Sequence, residues 1–421
     1  MKSEGGHTFK VITVFSCTLF VMFLLVASLC FLPVLATSNV ITVPDQYLSI
    51  QEAVNHSRSG DTIFVKSGTY TENVVVNKDG LKLVGENKET TVIDGNGTGT
   101  VVYVEANNSE VSYFTIQNSG FSLTDSGIYL NNSFNTLVSN NKVCNNNLGI
   151  YLSSSSNCIL QNNNMTGNQY NFGVSGRSVT EFIHSIDSSN VVDGKTVVYW
   201  VNEANRKVPD NAGYVAVINS TKVNVENVKL TNNWQSILFA YTADSNVKNV
   251  TLTSNMDALW LIGCSDCSVY ENNVQENNWG GIAIVNSNFC TFERNNITEN
   301  KGYGVFLSDS SDNLFYHNNF NNTNQVWLFG VNSNTWDAGA HAGGNYWSDY
   351  KGGDSDSNGV GDVPYVIASD NKDGYPLTFP YTVLAEEPTG NLVLYVIAGI
   401  VIIAIVAVVC ATVLRNRKRG T

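Results

Sequence analysis

Four groups of residues in this chain have the types and the spacing to do chemistry. Asp354, Asp356, Asn358, Val360 and Asp362 offer oxygen at alternate positions, with Gly359 for a sharp turn, which matches the first half of a calcium loop. The twelfth position, normally acidic, is Tyr365, so calcium here needs another oxygen from Asp349, Asp370 or Asp373. The competing reading is a solvated acidic turn. A second group is aromatic: Trp200, Trp234, Tyr241, Trp260, Trp279, Tyr303, Trp327, Trp336, Tyr346 and Trp347. Aromatic faces stack on sugar rings, and Trp200, Trp234, Tyr241 and Trp279 are the carbohydrate-binding candidates. Trp336, Tyr346 and Trp347 read instead as packing of an end cap. The third group is Cys144, Cys158, Cys264, Cys267 and Cys290; the lone Cys264-x-x-Cys267 pair is a weak zinc or redox signal. The fourth is His184, Asp187, Asp193, Lys195 and Arg177, the place where acid–base catalysis on a polysaccharide is plausible.

The elements that must position these residues begin with two apolar segments. Residues 1–36 read as a signal peptide, or as an uncleaved signal anchor, with Lys2 and Lys10 ahead of an apolar run. Residues 392–414 carry no charge over a length sufficient for a transmembrane helix, after a linker at 381–391. Residues 415–421 follow as a basic tail, which by the positive-inside rule stays cytoplasmic. The expected protein is single-pass in the cell membrane with its 37–380 domain exported, or two-pass if the first segment is retained. Nine sequons, at Asn55, Asn96, Asn107, Asn131, Asn164, Asn219, Asn249, Asn296 and Asn321, are open to glycosylation there. A net charge of -13 with 23 basic residues argues against a nucleic-acid partner.

Between the membrane segments the chain repeats every 22 or 23 residues, apart from one gap. Equivalent apolar positions fall at Ile128, Ile150, Val215, Ile237, Leu259, Ile282, Val305 and Leu328. Columns ten and fifteen residues later are also apolar, giving three short strands per coil. A further column holds Asn146, Asn168, Asn233, Asn255, Asn277 and Asn300, a structural ladder at one corner, where asparagine tolerates left-handed backbone. In this register Cys267 and Cys290 occupy one column on adjacent coils. The fold expected is all-β: a parallel β-helix with a helix near Tyr47 to Arg58 plugging its first coil. The repeat breaks at about 175–213, expected to leave the wall as a lateral insertion. The segment at about 329–380 should cap the last coil.

The chain resembles the NosD-like surface proteins of the pectin-lyase-like, right-handed parallel β-helix group. The likeness rests on Ile41-Thr42-Val43-Pro44, the Gly127-Ile128-Tyr129-Leu130 repeat, Val191-Val192-Asp193-Gly194-Lys195-Thr196-Val197, Gly344-Asn345-Tyr346-Trp347-Ser348-Asp349-Tyr350 and Tyr375-Pro376-Leu377. It implies a carbohydrate-binding or carbohydrate-processing envelope module. The expected function is therefore a membrane-anchored glycan-binding or structural surface protein, its partner an envelope polysaccharide or glycoprotein glycan. The alternative is a polysaccharide lyase, hydrolase or epimerase using the insertion. A weaker alternative, from the resemblance alone, is an accessory factor for metal-site assembly, although the histidines are scattered.

Overall fold

The computed structural model describes residues 38–382, so the signal segment, the membrane helix and the basic tail lie outside the described residues. Among the described residues no helix is long and apolar enough to cross a membrane. Ser49 Oγ accepts the Glu52 N–H and starts the helix Ile50–His56, which buries Ile50, Ala53 and Val54 over the first coil. Short parallel strands follow in three sheets. A seven-stranded sheet, a five-stranded sheet and the first six strands of a thirteen-stranded sheet form an N-terminal solenoid. The other seven strands of that large sheet, with two six-stranded sheets, form a C-terminal solenoid.

The join between the solenoids is a tight hairpin. Val191–Val192 pairs antiparallel with Lys195–Val201 across Asp193-Gly194. Both turn residues have positive φ, 47° and 77°, the signature of a type I′ turn. The other pairs in the thirteen-stranded sheet are parallel, for example Met165 with Val192 and Val198 with Val215. Strand direction therefore reverses while the stack continues the same way, and a coil of unchanged hand must place its interior on the opposite face of the shared sheet. The strand Ala212–Ile218 shows the result, with all seven residues buried. Tyr214, Ala216 and Ile218 belong to the N-terminal core, and Val215 and Val217 to the C-terminal one.

Two expectations are corrected by this switch. Residues 175–213 do not leave the wall as a lateral loop: Ser185–Ile186 and Val191–Val192 complete two sheets of the first solenoid. Lys195–Val201 and Ala204–Lys207 then form a short opening coil of the second. The segment carries its own alternation, Val197 and Tyr199 facing one core and Val198 the other, so it buries more apolar area inside the wall than outside it. Val215 likewise does not continue the column of Ile128 and Ile150, which runs on to Phe172 in the five-stranded sheet, whereas Val215 pairs with Ile237 in the thirteen-stranded one. The last coil starts at Val326, paired with Val305, rather than at Leu328, because its turns are shorter.

The corner asparagines are bonded coil to coil. Asn146 donates both its N–H and Nδ2 to Asn168 Oδ1, and Asn255, Asn277 and Asn300 donate in the same way to Asn277, Asn300 and Asn322. The N–H of Asn233 joins the top of this second run. The left-handed backbone falls one residue earlier, on Asn145, Asn232, Ser254, Glu276 and Glu299, which frees the ladder asparagine to point inward. A parallel ladder runs through Asn272, Asn295, Asn318 and Asn345. Thr291 N–H bonds to Cys267 O, which sets Cys267 and Cys290 on adjacent coils as free, buried thiols. Thiol–thiol contact and burial push the Cys290 pKa far above its usual value.

Candidate functional site

An aromatic groove lies at the step between the solenoids. Tyr199, Ala216, Leu238, Trp260, Ala283, Phe306 and Trp327 form one register column on the outer face of the shared sheet. The first three members lie under the end of the N-terminal solenoid and are buried. From Trp260 onward the sheet extends beyond that cover. The uncovered stretch forms a groove of ≈ 800 Å³, with Gly176, Arg177 and Tyr241 on one side and Trp279, Tyr303, Phe306 and Trp327 on the other. These four rings pack against one another, with Trp279–Trp327 centroids 6.5 Å apart and Phe306–Trp327 centroids 5.6 Å apart. Trp279 and Trp327 remain 44% and 48% exposed, so ring faces are available to a ligand.

One carboxylate lines the groove. Asp257, Gly280 and Tyr303 are register neighbours on three successive strands. The Tyr303 hydroxyl crosses Gly280 to donate to Asp257 Oδ1 at 2.8 Å. A Cβ at position 280 would lie 2.2 Å from the Tyr303 ring, so only glycine allows the crossing. Burial pushes the Asp257 carboxyl up to about 6, against the opposing pull of Tyr303 O–H, Trp260 Nε1–H and the Gly280 N–H. The Trp260 indole N–H is buried and makes no hydrogen bond of good geometry.

A carboxyl raised in the folded state holds its proton longer than in the unfolded chain, so its stabilising effect is complete below the unfolded pKa of 3.8 and is lost as pH rises through about 6. Asp257→Asn should not lose it. Between pH 4 and 7.5 the parent is expected to fall by on the order of 2–3 kcal/mol relative to the variant. Urea unfolding of both at the two pH values measures this. A parent–variant difference that stays constant would mean that Asp257 ionises like an exposed carboxyl. Comparing against the variant cancels Asp373, also raised by burial to about 6, and His184, lowered by burial to about 4.

The residues singled out in the sequence are scattered by the fold. Tyr241 and Trp279 line the groove. Trp234, in the same repeat column as Trp279, is buried against Gly173 and stacks near Tyr151 at 5.3 Å, because the first solenoid covers it. Trp200 carries the Arg206 guanidinium 3.9 Å above its ring. The catalytic candidates do not converge. His184 is buried, bonded to Cys158 N–H and Glu181 O. Asp193 is the hairpin turn residue and accepts from Gly167, Thr166 and Asn171. Lys195 donates to Lys229 O, and Asp187 accepts from Ser189. Of this set only Arg177 reaches the groove. Phe306, Phe329, Ala283 and Asp257 escaped the sequence reading. The residue following each repeat start alternates outward, and that column would have revealed Trp260, Ala283 and Phe306 together.

In the acidic loop, Asp354 accepts the N–H groups of Asn358 and Gly359, Asp356 that of Asn358, and Asp362 that of Ser355. Val360 N–H bonds to Asn358 Oδ1. None of the nine sequon asparagines is buried.

Fold and groove together define a class: an all-β parallel β-helix of two solenoids bearing an aromatic surface cleft. Within that class the chain belongs to the NosD family, whose model, described as "Periplasmic copper-binding protein (NosD)", matches residues 54–206 and 183–352. None of the curated proteins matches it. Among solved structures it is similar to an alginate lyase from Paenibacillus sp. str. FPU-7, at 12% identity and TM-score 0.30, covering 70% of this chain and 98% of that one. It is also similar to the Dettilon tailspike protein, at 15% identity and TM-score 0.30, covering 69% and 68%. A third is the GH136 lacto-N-biosidase from Eubacterium ramulus, at 11% identity and TM-score 0.30, covering 71% and 67%.

The described residues do not fit the copper ion of the family description. Among them no three His, Cys, Asp or Glu side chains gather where they could hold a metal. His56 stacks on Tyr47 and His317 on Tyr381, and the five cysteines are buried.

Proposed function

We propose that the protein is a glycan-binding module of the cell envelope, carried on the membrane by the apolar segments of its sequence, with the groove at the solenoid step as its binding site. The observation that carries this is the wall of four mutually packed rings, half-exposed at Trp279 and Trp327, on a rigid sheet. Rings held in place by neighbouring rings cost little entropy when a sugar stacks on them. The groove's single lining carboxylate does not supply the pair that glycoside hydrolysis uses, which favours binding over hydrolysis.

The test is a glycan array probed with the full-length protein in detergent micelles, followed by titration of a hit. Trp279→Ala and Trp327→Ala should each weaken binding at least tenfold, about 1.4 kcal/mol. Equal binding by parent and both variants would remove the groove from the function. Calcium at Asp354, Asp356, Asn358, Val360 and Asp362 is proposed on sequence spacing alone: the three carboxylates are not gathered for a metal in this structure, and oxygens now bonded to backbone N–H groups would have to turn to the ion. Millimolar calcium should then raise the melting temperature of the chelated protein, and Asp354→Ala should abolish the rise. An unchanged temperature in the parent would delete the ion.

A further inference from the structure

The groove has two chemically different ends. Asp257, Trp279 and Tyr303 stand at or just before the N-terminal ends of neighbouring strands, whereas Tyr241, Gly263 and Asn286 follow the C-terminal ends. The strands between are six residues long, such as Gly280–Val285, about 20 Å at roughly 3.3 Å per residue. The floor is low there because the outward column carries Ala283, between Trp260 and Phe306. A chain of sugar units can therefore lie along the strands, with ring faces stacked at one end.

The other end is cationic. Arg177 is exposed on the loop that follows Tyr170–Ser175, and among the described residues its guanidinium makes no ion pair and no hydrogen bond. Its backbone is held from both sides: its N–H donates to Glu181 Oε2 at 2.8 Å, and its carbonyl accepts from Tyr241 O–H at 3.3 Å. The Glu181 carboxylate is thus engaged with the loop, and also takes a hydrogen bond from Ser178 Oγ. The exposed Asn286 amide has no side-chain partner among the described residues and lies at the same end of the groove. Asp257, the one anionic group of the lining, is buried at the opposite end, where it does not neutralise Arg177.

We infer that the groove reads its glycan directionally, stacking a sugar ring on Trp279 and Trp327 and pairing an acidic substituent of the same chain, a carboxylate or a sulfate, with Arg177. This rests on the glycan-binding reading and adds the ligand's charge and its polarity. A planar guanidinium with free donors suits both oxyanions through two parallel hydrogen bonds.

The experiment uses full-length protein in micelles and tetrasaccharides of one backbone in three forms: free uronic acid, its methyl ester, and a sulfated counterpart. The parent should bind at least one acidic form tenfold or more tighter than the ester, and which form it prefers identifies the oxyanion. Arg177→Gln should bring acid and ester to equal affinity. Trp279→Ala should weaken all forms together. Equal affinity for all three in the parent, or a preference that survives Arg177→Gln, overturns the assignment of Arg177. Failure to bind any form while a neutral glycan from the array binds overturns the acidic ligand alone; failure to bind any glycan overturns the groove's function as well.

Discussion

Replacing Asn277 by Ala should lower the unfolding free energy by about 2–4 kcal/mol. Its Oδ1 accepts both the N–H and the Nδ2–H of Asn255, and its Nδ2 donates to Leu252 O, Gln275 O and Asn300 Oδ1. Asn277 is fully buried, so water cannot replace these partners. The alanine leaves the Asn255 N–H without a partner, at about 1–3 kcal/mol, takes one acceptor from the Asn255 amide and adds a small cavity, whereas Leu252 O keeps the Gln275 N–H of the parallel ladder. Asn324 is the control, since it also donates a side-chain hydrogen bond, to Gly302 O, but is exposed. Asn324→Ala should cost less than about 1 kcal/mol. Urea unfolding followed by circular dichroism compares the two variants. Similar small losses would mean that burial of the ladder contributes nothing beyond its backbone sheets.

The second large effect belongs to the end cap. Trp336 is fully buried, stacks on Phe315 at 4.2 Å, and donates Nε1–H to Asn371 Oδ1 at 3.0 Å. Trp336→Ala should cost about 3–5 kcal/mol, mostly as an unfilled cavity. Coils contact only their neighbours, so the loss should concentrate at the C-terminal end of the stack. Limited proteolysis is expected to clip the variant within residues 329–382 while the N-terminal solenoid stays intact. If cleavage instead spread through both solenoids at once, the two cores would be unfolding as a single unit.

The groove was half legible in advance. Tyr241 and Trp279 stood out because tryptophan and tyrosine in an Asn-rich repeat expected to be exported invite a sugar-stacking role. Trp234 stood out for the same reason and is buried, because the repeat column says which side of its own coil a residue faces and nothing about what lies on that side. The acid–base cluster near the insertion was sequence proximity alone. Asp193 proved to be a turn residue, His184 a core histidine, and only Arg177 came to the groove.

What the sequence determined by itself was the coil: its period, its three apolar columns, its helical plug and its asparagine corner. These depend on residues a few positions apart, or one coil apart, and every coil repeats the same local physics. Only the tertiary structure decided how many stacks there are. Asp193-Gly194 is a local hairpin signal, but its consequence is global, because reversing one strand sends every later coil to the other face of the shared sheet. A periodic pattern is unchanged by that reversal, since alternate residues face in and out either way, so the register holds within each solenoid while its columns change sheets from one to the other. The groove exists only because the second solenoid overhangs the first, and which outward residues are covered or left bare follows from that offset.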